Sequence, residues 1–412
     1  MASKYPGDLP VQLIRRKCSV CGNIDNLLPL YDQPTENIAG IGDIGYHHII
    51  NVCNDCGFVF ASPIIEESAI LSYYEKMSNY EYTESAGIRP IEEVRQIERQ
   101  IKFALSHFSS NFTGYALDVG CSIALGLSLL KKIGWNVLGL DPSERCIRIS
   151  KNMFGVQVIQ GFFSLELFQD KKPFDLIILS HVIEHVISPN EMLKEIRELL
   201  DDNGVIYIEV PNLMNNIGLR GYFTFEHVNF FTLQTLTNLA VQNGFAVDRI
   251  QEFDNGKDIY PFYPVIALTI KKSKVKIPLI NDRNEAIKII EKYKLTTRDL
   301  LKKLDIKIIK ILSHIKKGRL AIWGAGIHTS QLLSESVLNK ESIYCIFDND
   351  PKKAGLMISG IEIKTLPSNI EDVVKNIDGI LISSLSSEDA IYRKIKFLEN
   401  HNIAIFRLYF DE

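Results

Sequence analysis

The chain has 412 residues, of which 46% are hydrophobic and 23% are charged, and 46 Lys and Arg against 50 Asp and Glu give a formal net charge of −4. This composition argues against wholesale disorder, and the nearly neutral charge argues against a protein that neutralises many nucleic-acid phosphates. No apolar run approaches the roughly 18–20 residues of a membrane span, and the first residues lack the apolar block of a secretory signal. We therefore expect a soluble, cytoplasmic protein of two to four domains, at about 100–200 residues per domain.

The first predicted element is a pair of cysteine knuckles. Cys18-x-x-Cys21 and Cys53-x-x-Cys56 are each followed by Gly, and 31 residues separate the two pairs. Four thiolates at this spacing can hold one Zn²⁺ tetrahedrally, with a hairpin or small loop filling the gap. Because all four ligands are cysteine, the metal would be structural. Two disulfides are the alternative, which a cytosolic setting disfavours.

Strands and helices alternate from residue 115 onwards. Each strand is mostly apolar and a glycine-containing turn opens the first helix, which predicts a parallel sheet covered by helices on both faces. A hairpin is expected at the end of this unit, and one helix is expected before it. The predicted strands are YALDVG, NVLGLDPS, VQVIQG, FDLIILS and GVIYIEV, followed by FAVDRIQEF and YPVIALTIKK in the hairpin.

A long amphipathic helix is predicted over residues 282–317, where apolar residues recur at helical spacing between lysines. Packing against neighbouring domains is the favoured role, and binding to a membrane surface or a partner is the alternative. The predicted domains are a zinc-binding module and connector at 1–80, a central domain at 81–275, a helical linker at 276–317 and a smaller Rossmann-like α/β domain at 318–412.

The C-terminal domain has its own glycine turn. Gly324 and Gly326 follow a predicted strand, and Asp348 lies 22 residues after Gly326, which is a spacing typical of nucleotide sites. Either this turn helps to hold the nucleotide part of a substrate, or the domain only closes the cleft.

The central domain carries the main candidate binding motif. In LDVGCSIALG, Asp118, Gly120, Ser122 and Ala124 directly follow a strand and open a helix. Small residues let a ligand approach the backbone, and a helix N-terminus presents free N–H groups. Asp141 ends the next strand, 21 residues after Gly120, close to the spacing of about 20 at which a carboxylate reaches ribose hydroxyls. A purely structural turn is the alternative.

With SHVIEHV after the fourth strand, this pattern resembles the class I methyltransferases that use S-adenosylmethionine, and NAD binding is the rival interpretation. The family motif is (D/E)-x-G-x-G-x-G, in which Ser122 and Ala124 replace the last two glycines. The resemblance implies a central Rossmann-like methyltransferase sheet, with Asp141 on the ribose and Phe162 where the family often has an acidic residue near the adenine amine. The implied cofactor-binding residues are Asp118, Gly120, Cys121, Ser122, Asp141, Phe162, Ser180 and His181.

The whole layout further resembles the sugar C-methyltransferases, which act on nucleotide-linked 4-keto-deoxysugars. The resemblance implies that His227 is the base, in a Tyr-x-Glu-His pattern that here reads Thr224-Phe225-Glu226-His227, with Tyr222 as the candidate substitute for the tyrosine. It also places His185 at the family's second active-site histidine. An N-terminal tyrosine, Tyr80 or Tyr82, would complete the site.

These residue types suit methylation of a carbon next to a ketone. A base must remove a weakly acidic C–H proton, and histidine, with a pKa near about 6.5, serves at neutral pH. A tyrosine or a second histidine can donate a hydrogen bond to the enolate oxygen, while the sulfonium group is held in line with the carbanion. The resemblance implies that the substrate is a nucleotide sugar. We expect no nucleic-acid or membrane partner, and a monomer or small homo-oligomer.

Three alternatives stay open. His227 can have a structural hydrogen-bonding role. The enzyme can be an O- or N-methyltransferase acting on a sugar or small metabolite. The two α/β units can form an NAD-dependent oxidoreductase or a nucleotide-binding module.

Overall fold

The structure is a computed structural model. It describes residues 12–38, 42–71, 91–215, 222–254, 263–275, 277–315, 319–367, 371, 375–384 and 388–409. Tyr80 and Tyr82 lie outside the described residues. Among the helices in these ranges, none combines the length and the apolar character that a membrane crossing requires.

Nineteen strands and eight α-helices are described, together with short 3₁₀ turns and one π-helical turn at Ser150–Phe154. The strands are β1 (Leu13–Ile14), β2 (Leu27–Ile38), β3 (Gly42–Cys53), β4 (Val59–Ala61), β5 (Ile64–Ile65), β6 (Tyr115–Val119), β7 (Asn136–Asp141), β8 (Val158–Gln160), β9 (Phe174–Ser180), β10 (Leu200–Pro211), β11 (Asn229–Phe230), β12 (Phe245–Phe253), β13 (Val265–Lys272), β14 (Leu320–Trp323), β15 (Ile343–Phe347), β16 (Met357–Ile358), β17 (Ile361–Lys364), β18 (Gly379–Ile382) and β19 (Ala404–Phe406). The helices are α1 (Ile91–Leu105), α2 (Leu125–Lys132), α3 (Glu144–Ile149), α4 (Pro189–Leu199), α5 (Leu233–Gln242), α6 (Arg283–His314), α7 (Ile327–Glu335) and α8 (Glu388–Ile395).

The N-terminal module is a four-stranded antiparallel sheet in the order β11-β4-β3-β2. The β2–β3 hairpin fills the gap between the two cysteine pairs, as expected from the sequence. The fourth strand is β11, which directly follows the candidate base and pairs with β4 through Asn229–Phe60 and Phe230–Val59. A segment of the central domain therefore completes the N-terminal sheet.

The central sheet has seven strands in the order β12-β13-β10-β9-β6-β7-β8. Strands β6 to β10 are parallel, whereas β13 runs antiparallel to both β10 and β12. The sheet is thus mixed, and its antiparallel edge is the predicted hairpin. Leu117, Leu179 and Ile208 are fully buried in the core of this sheet. The carboxyl ends of β6 and β9 meet at the centre, where open α/β sheets bind ligands.

Helix α4 is shorter than predicted. The sequence NEMLKEIRELLDDNG predicts a helix that extends to Gly204, but the helix ends at Leu199 and β10 begins at Leu200. Leu200 pairs with Phe174 at the start of β9, and a Cβ atom on Gly204 would lie 2.9 Å from two carbonyl oxygens of that strand. Close pairing with β9 therefore overrides the local helix propensity.

Helix α6 connects the N-terminal and C-terminal parts of the molecule. Ala286, Ile290 and Tyr293 pack against the N-terminal sheet, and the later residues Leu304 and Ile308 pack into the C-terminal core. The apolar stripe is buried at both ends, which confirms packing as the role of this helix. The helix ends at His314, three residues before the predicted end at Lys317, which lies outside the described residues.

The C-terminal unit is a second open α/β sheet, in the order β16-β17-β15-β14-β18-β19. Strand β14 lies between β15 and β18, parallel to both, and the glycine turn follows its carboxyl end. Among the described strands of this unit, only the short β16–β17 pair is antiparallel. This unit is the smaller Rossmann-like domain that the sequence predicts.

Candidate active site

A cleft opens at the carboxyl ends of β6 and β9. Its empty space, including the open mouth, is about 1010 Å³. The glycine-rich loop, the segment after β9 and one face of α1 form its walls. The polar residues that line it are Gln96, Gln100, Asp118, Ser122, Ser180, His181, Glu184, His185, Tyr207, His227 and Tyr263.

The backbone of the glycine-rich loop is left-handed at three positions of the motif. Gly120, Ser122 and Ala124 have φ angles of 73°, 50° and 57°, all in the left-handed region. The two non-glycine residues thus keep the backbone path at a cost of about 1 kcal/mol or more each. Gly120 is exposed at the mouth of the cleft, and its N–H donates to the carbonyl of Leu140 at 2.8 Å, which fixes the loop against β7.

Asp118 is a carboxyl group without a cation beside it. It lines the cleft and has no hydrogen-bond partner among the described residues. Burial, reinforced by the nearby carboxylate of Asp141, raises the pKa of Asp118 to about 8. A cationic ligand group would relieve both effects, so this side chain fits the amino group of a bound S-adenosylmethionine.

Asp141 holds the loop in place. Its Oδ2 accepts a hydrogen bond from the Ser122 N–H at 2.8 Å and its Oδ1 accepts one from the Ser143 N–H at 2.9 Å. The residues that line the cleft include neither Asp141 nor Phe162. Each Asp141 oxygen keeps a second lone pair, so the expected ribose contact stays a prediction.

Cys121 lies on the floor of the loop. It is 8% exposed and lines the cleft. The residue beneath it is Gly139 in β7, where a Cβ atom would lie 2.6 Å from the Cys121 sulfur and 2.9 Å from Val158. The position of Cys121 therefore depends on a glycine that the sequence analysis did not select.

His181 lies at the sulfonium side of the predicted site, between two buried carboxylates. Its Nδ1 is 3.1 Å from Glu184 Oε1 and its Nε2 is 3.5 Å from Glu209 Oε1, and its φ is 55°. Burial opposes the protonated form, but the hydrogen bonds and charges of the two carboxylates outweigh it and raise the pKa of His181 to about 9. The imidazole is therefore a cation at neutral pH.

Glu209 is the centre of a polar network that the sequence analysis missed. Arg99 binds both of its oxygens, at 2.7 and 2.9 Å, and Tyr207 and Gln100 each donate to it at 2.7 Å. The same Gln100 amide donates to Ser180, the predicted sulfonium-side residue, at 2.8 Å. The sequence feature that could have indicated polar residues of α1 in the site is the pair Gln96 and Gln100, which are four residues apart and therefore on one face of the helix.

His185 and His227, the two candidate histidines, meet in the cleft. Their ring centroids are 4.8 Å apart, and His185 Nδ1 lies 2.9 Å from the carbonyl oxygen of Glu226. A carbonyl can only accept, so His185 Nδ1 carries a hydrogen. Glu226 thus contributes its backbone to the site, and Tyr222 lies behind His227 with 6.5 Å between ring centroids.

Glu184 completes this group. It is 1% exposed, and its Oε2 has no hydrogen-bond partner among the described residues. Burial, the charge of His185 and the other nearby histidines together lower the pKa of His227 to about 3, while the Glu184 carboxylate works in the opposite direction. Glu184 is present in the HVIEH motif, but the sequence analysis did not select it.

The four N-terminal cysteines come together as predicted. All four sulfur atoms lie within 4.8 Å of one another, with Cys18–Cys56 at 3.5 Å and Cys21–Cys53 at 3.4 Å. These distances exceed a disulfide bond of about 2.05 Å and approach the roughly 3.8 Å expected around a tetrahedral Zn²⁺ with Zn–S bonds near 2.3 Å. The following glycines, Gly22 and Gly57, have φ angles of 79° and 78°. The donor set fits a structural Zn²⁺.

The C-terminal glycine turn has its own aspartate. Asp348 Oδ2 accepts hydrogen bonds from the Ala325 N–H at 2.7 Å and from Lys353 at 3.2 Å. Lys353 is 7% exposed, so it neutralises this carboxylate inside the protein.

Comparison with known proteins identifies the central domain. Residues 92–250 match a family model described as a methyltransferase domain. The chain is 21% identical over 366 residues to the C-methyltransferase NovU of Streptomyces niveus, covering 84% of each chain. It is 27% identical over 197 residues to a ubiquinone biosynthesis O-methyltransferase of Coxiella burnetii, covering 42% of this chain and 80% of that one.

Among solved structures, a 1,6-didemethyltoxoflavin-N1-methyltransferase of Burkholderia thailandensis with bound S-adenosylhomocysteine is 15% identical, with a TM-score of 0.41, over 53% of this chain and 96% of that one. The family match and the sequence relatives outweigh the NAD-dependent alternative. Residues 92–250 form a methyltransferase domain, and the protein is an S-adenosylmethionine-dependent methyltransferase.

Proposed function

We propose that the enzyme transfers the methyl group of S-adenosylmethionine to a carbon atom of a nucleotide-linked keto-deoxysugar. The observation that carries the proposal is the pair of histidines, His185 and His227, beside the loop that would hold the cofactor. Carbon methylation needs a proton acceptor at the reacting carbon, and oxygen methylation needs one at a hydroxyl group. Two neighbouring imidazoles can supply both the base and the donor to an enolate oxygen.

The extent of the sequence matches supports this proposal. The match to the C-methyltransferase NovU extends over 366 residues, whereas the matches to ubiquinone biosynthesis O-methyltransferases extend over 99 to 197 residues. A 366-residue match must include sequence on both sides of the 159-residue methyltransferase domain. We infer that the flanking modules serve a substrate of the kind that C-methyltransferases of this size use.

His227 is the proposed base and His185 its partner. With a pKa of about 3, the free His227 imidazole is neutral and can accept a proton at any physiological pH. Its protonated form would need stabilisation, which the Glu184 carboxylate and the developing enolate oxygen can provide. His185, whose Nε2 faces away from the Glu226 carbonyl, is the candidate to hold the substrate oxygen when protonated, or to share the proton.

The cofactor would be held by the loop at 118–122, with the Asp118 carboxylate on its amino group and Asp141 on its ribose. The cofactor supplies an electrophilic methyl group when it is bound. The residues of this chain orient it, exclude water and handle the substrate proton. The Cys18, Cys21, Cys53 and Cys56 cluster is the proposed site of a structural Zn²⁺.

The decisive experiment is a screen of nucleotide-linked 4-keto-deoxysugars with methyl-labelled S-adenosylmethionine, followed by NMR of the product. A new carbon–methyl signal next to the former ketone is expected. In D₂O without cofactor, the α-hydrogen of a true substrate should exchange with solvent, because the base acts before methyl transfer. A labelled methoxy group, with no α-hydrogen exchange, would instead establish the O-methyltransferase alternative, which the Coxiella burnetii relative favours.

The His227→Asn variant tests the base. We expect loss of α-hydrogen exchange and of turnover, with S-adenosylhomocysteine affinity close to that of the unmodified enzyme. The matched control is His47→Asn, because His47 is an exposed histidine on the N-terminal hairpin, paired with Asp32. Undiminished exchange in His227→Asn, with loss in His185→Asn, would assign the base to His185 instead.

A further inference from the structure

Arg16 is a buried arginine whose guanidinium hydrogen-bonds only to neutral groups. It is 5% exposed, and within the part of the chain that the structure describes no carboxylate is paired with it. Nη1 donates to the carbonyls of Ala61 at 3.2 Å and Val228 at 2.8 Å, and Nε donates to the carbonyl of Ile187 at 3.1 Å. Nη2 donates to the same Ile187 carbonyl and, at 2.7 Å, to Asn229 Oδ1. All of its N–H groups are used.

Apart from Ala61 in β4, these acceptors lie in the two segments that carry the cleft histidines. Ile187 follows His185 by two residues, while Val228 and Asn229 directly follow His227. One guanidinium thus joins both segments.

Asn229 extends the connection further into the first segment. Its amide donates to the carbonyls of Ile183 at 2.8 Å and Val186 at 2.6 Å, on either side of His185. The backbone N–H groups of Val228 and Asn229 also donate to the Glu184 carbonyl, at 2.9 and 3.0 Å.

Burying a cation without a counter-ion is costly, so packing alone does not account for an arginine here. Only a planar fork with five donors can reach carbonyls on two separate segments at once, and a lysine cannot reproduce it. The arrangement is therefore suited to holding two loops in register.

The other end of Arg16 is anchored to the cysteine module. Its backbone N–H donates to Ser62 Oγ at 3.1 Å, and the first knuckle begins two residues later at Cys18. A second set of hydrogen bonds connects the same module to the segment of His227. His48 Nε2 lies 3.0 Å from the carbonyl of His227, and Tyr46 donates its hydroxyl hydrogen to His48 Nδ1 at 2.7 Å.

We propose that Arg16 is a positioning residue, which holds the segments of His185 and His227 against each other and couples their order to metal loading of the cysteine cluster. Its catalytic consequence rests on the proposed role of the histidines. The positioning itself does not, and it can be measured without a substrate.

The test is hydrogen–deuterium exchange of the full-length protein, followed by mass spectrometry of peptides that cover residues 181–189 and 222–230. In Arg16→Met both peptides should exchange roughly tenfold faster or more, because several carbonyls lose their donor. Peptides from α5 should be unchanged, and so should S-adenosylhomocysteine affinity. The control is Arg15→Met, which changes an exposed arginine one residue away.

Two further experiments distinguish a positioning role of Arg16 from a general effect on stability. Asn229→Asp keeps an acceptor for Arg16 but loses the amide donor, so only the 181–189 peptide should exchange faster. Removing the metal from the unmodified protein with a chelator should accelerate both peptides. If Arg16→Met does not fold, Arg16→Lys serves instead, with faster exchange expected in at least one of the two peptides.

Unchanged exchange in both peptides of Arg16→Met, or equal acceleration throughout the central domain, would overturn the positioning role. Unchanged exchange after measured metal loss would overturn the coupling to the cysteine cluster. A failed screen of nucleotide sugars would affect only the proposed substrate, because the exchange experiment uses none.

Discussion

The glycine-rich loop shows what a single residue contributes at this site. The sequence analysis treated Ser122 and Ala124 as small residues that leave room for a ligand. The structure adds that both have positive φ angles, 50° and 57°, so a glycine motif here meets a conformational requirement as well as a spatial one. In this chain Ser122 and Ala124 keep the left-handed backbone conformation and are strained relative to glycine.

We predict that Ala124→Gly is nearly neutral for stability. The substitution loses a buried methyl group and adds freedom to the unfolded chain, but it relieves left-handed strain, so the free energy of unfolding should change by about 0.5 kcal/mol or less. Ala240, equally buried but inside helix α5, gives the matched control, in which glycine should cost about 1 kcal/mol or more. Urea unfolding midpoints compare the two. Equal losses in both would show that residue 124 is unstrained.

The candidate site residues that the sequence predicts are those whose signal is local. Asp118, Gly120 and the two histidines of the HVIEH motif, His181 and His185, lie at or near a strand end. Short motifs therefore predicted them. Arg99 and Glu209 are 110 residues apart, and Arg16 contacts a segment 212 residues away. Such pairs have no spacing that a single sequence can reveal, because only the folded sheet brings them together.

At the scale of elements, strand β7 supports the glycine-rich loop, the proposed cofactor site, through Gly139. We predict that Gly139→Ala weakens S-adenosylhomocysteine binding by about tenfold or more, because the new methyl group would displace Cys121 and the loop above it. Gly326→Ala is the control, since nothing lies within 4 Å of a Cβ atom there. Isothermal titration calorimetry measures both. Unchanged affinity in Gly139→Ala would show that the loop tolerates displacement.

The two α/β units use the same device at their first turn. In each, the aspartate after the second strand accepts an N–H from the glycine-rich loop through one oxygen and an N–H two residues ahead through the other, as Asp141 and Asp348 do. The similarity that the sequence suggested is therefore local and structural. The units differ in charge, because Lys353 pairs with Asp348, whereas no cation among the described residues pairs with Asp141.

Helix α6 contributes through one face. We predict that Ile308→Ala, at a fully buried site in the C-terminal core, costs about 2–5 kcal/mol. Ile306 is 69% exposed on the same helix, so Ile306→Ala should change stability by about 0.5 kcal/mol or less. Thermal and urea unfolding would measure the pair. Similar losses in both variants would mean that the exposed face is covered in solution.

At the scale of the whole molecule, alternation of strands and helices predicted two α/β units, a cysteine hairpin and a connecting helix, because each follows from local periodicity. What the sequence could not show is that β11 belongs to the N-terminal sheet. Two residues carry too little pattern to mark a strand, and their pairing with β4 depends on tertiary contact. The segment that carries His227 thus belongs to the central domain in sequence and continues into a strand of the N-terminal sheet. Domain boundaries drawn from the sequence do not show this.

At the scale of the whole molecule, the buried histidines act on the free energy of unfolding in opposite directions at acidic and alkaline pH. His181 has a pKa raised to about 9, so its contribution is fully present below its unfolded pKa of about 6.5 and is lost as the pH rises through 9, by about 3 kcal/mol at most. His48 and His227 have pKa values lowered by burial to about 4 and 3, so they act oppositely and reduce stability as the pH falls below about 6.5.

Urea unfolding from pH 5 to 10 would measure both the acid limb and the alkaline limb of this stability curve. His181→Asn, which tolerates the positive φ, should flatten the alkaline limb, while His401→Asn, at an exposed histidine, should leave it intact. An unaltered alkaline limb in His181→Asn would show that this imidazole is not the buried cation.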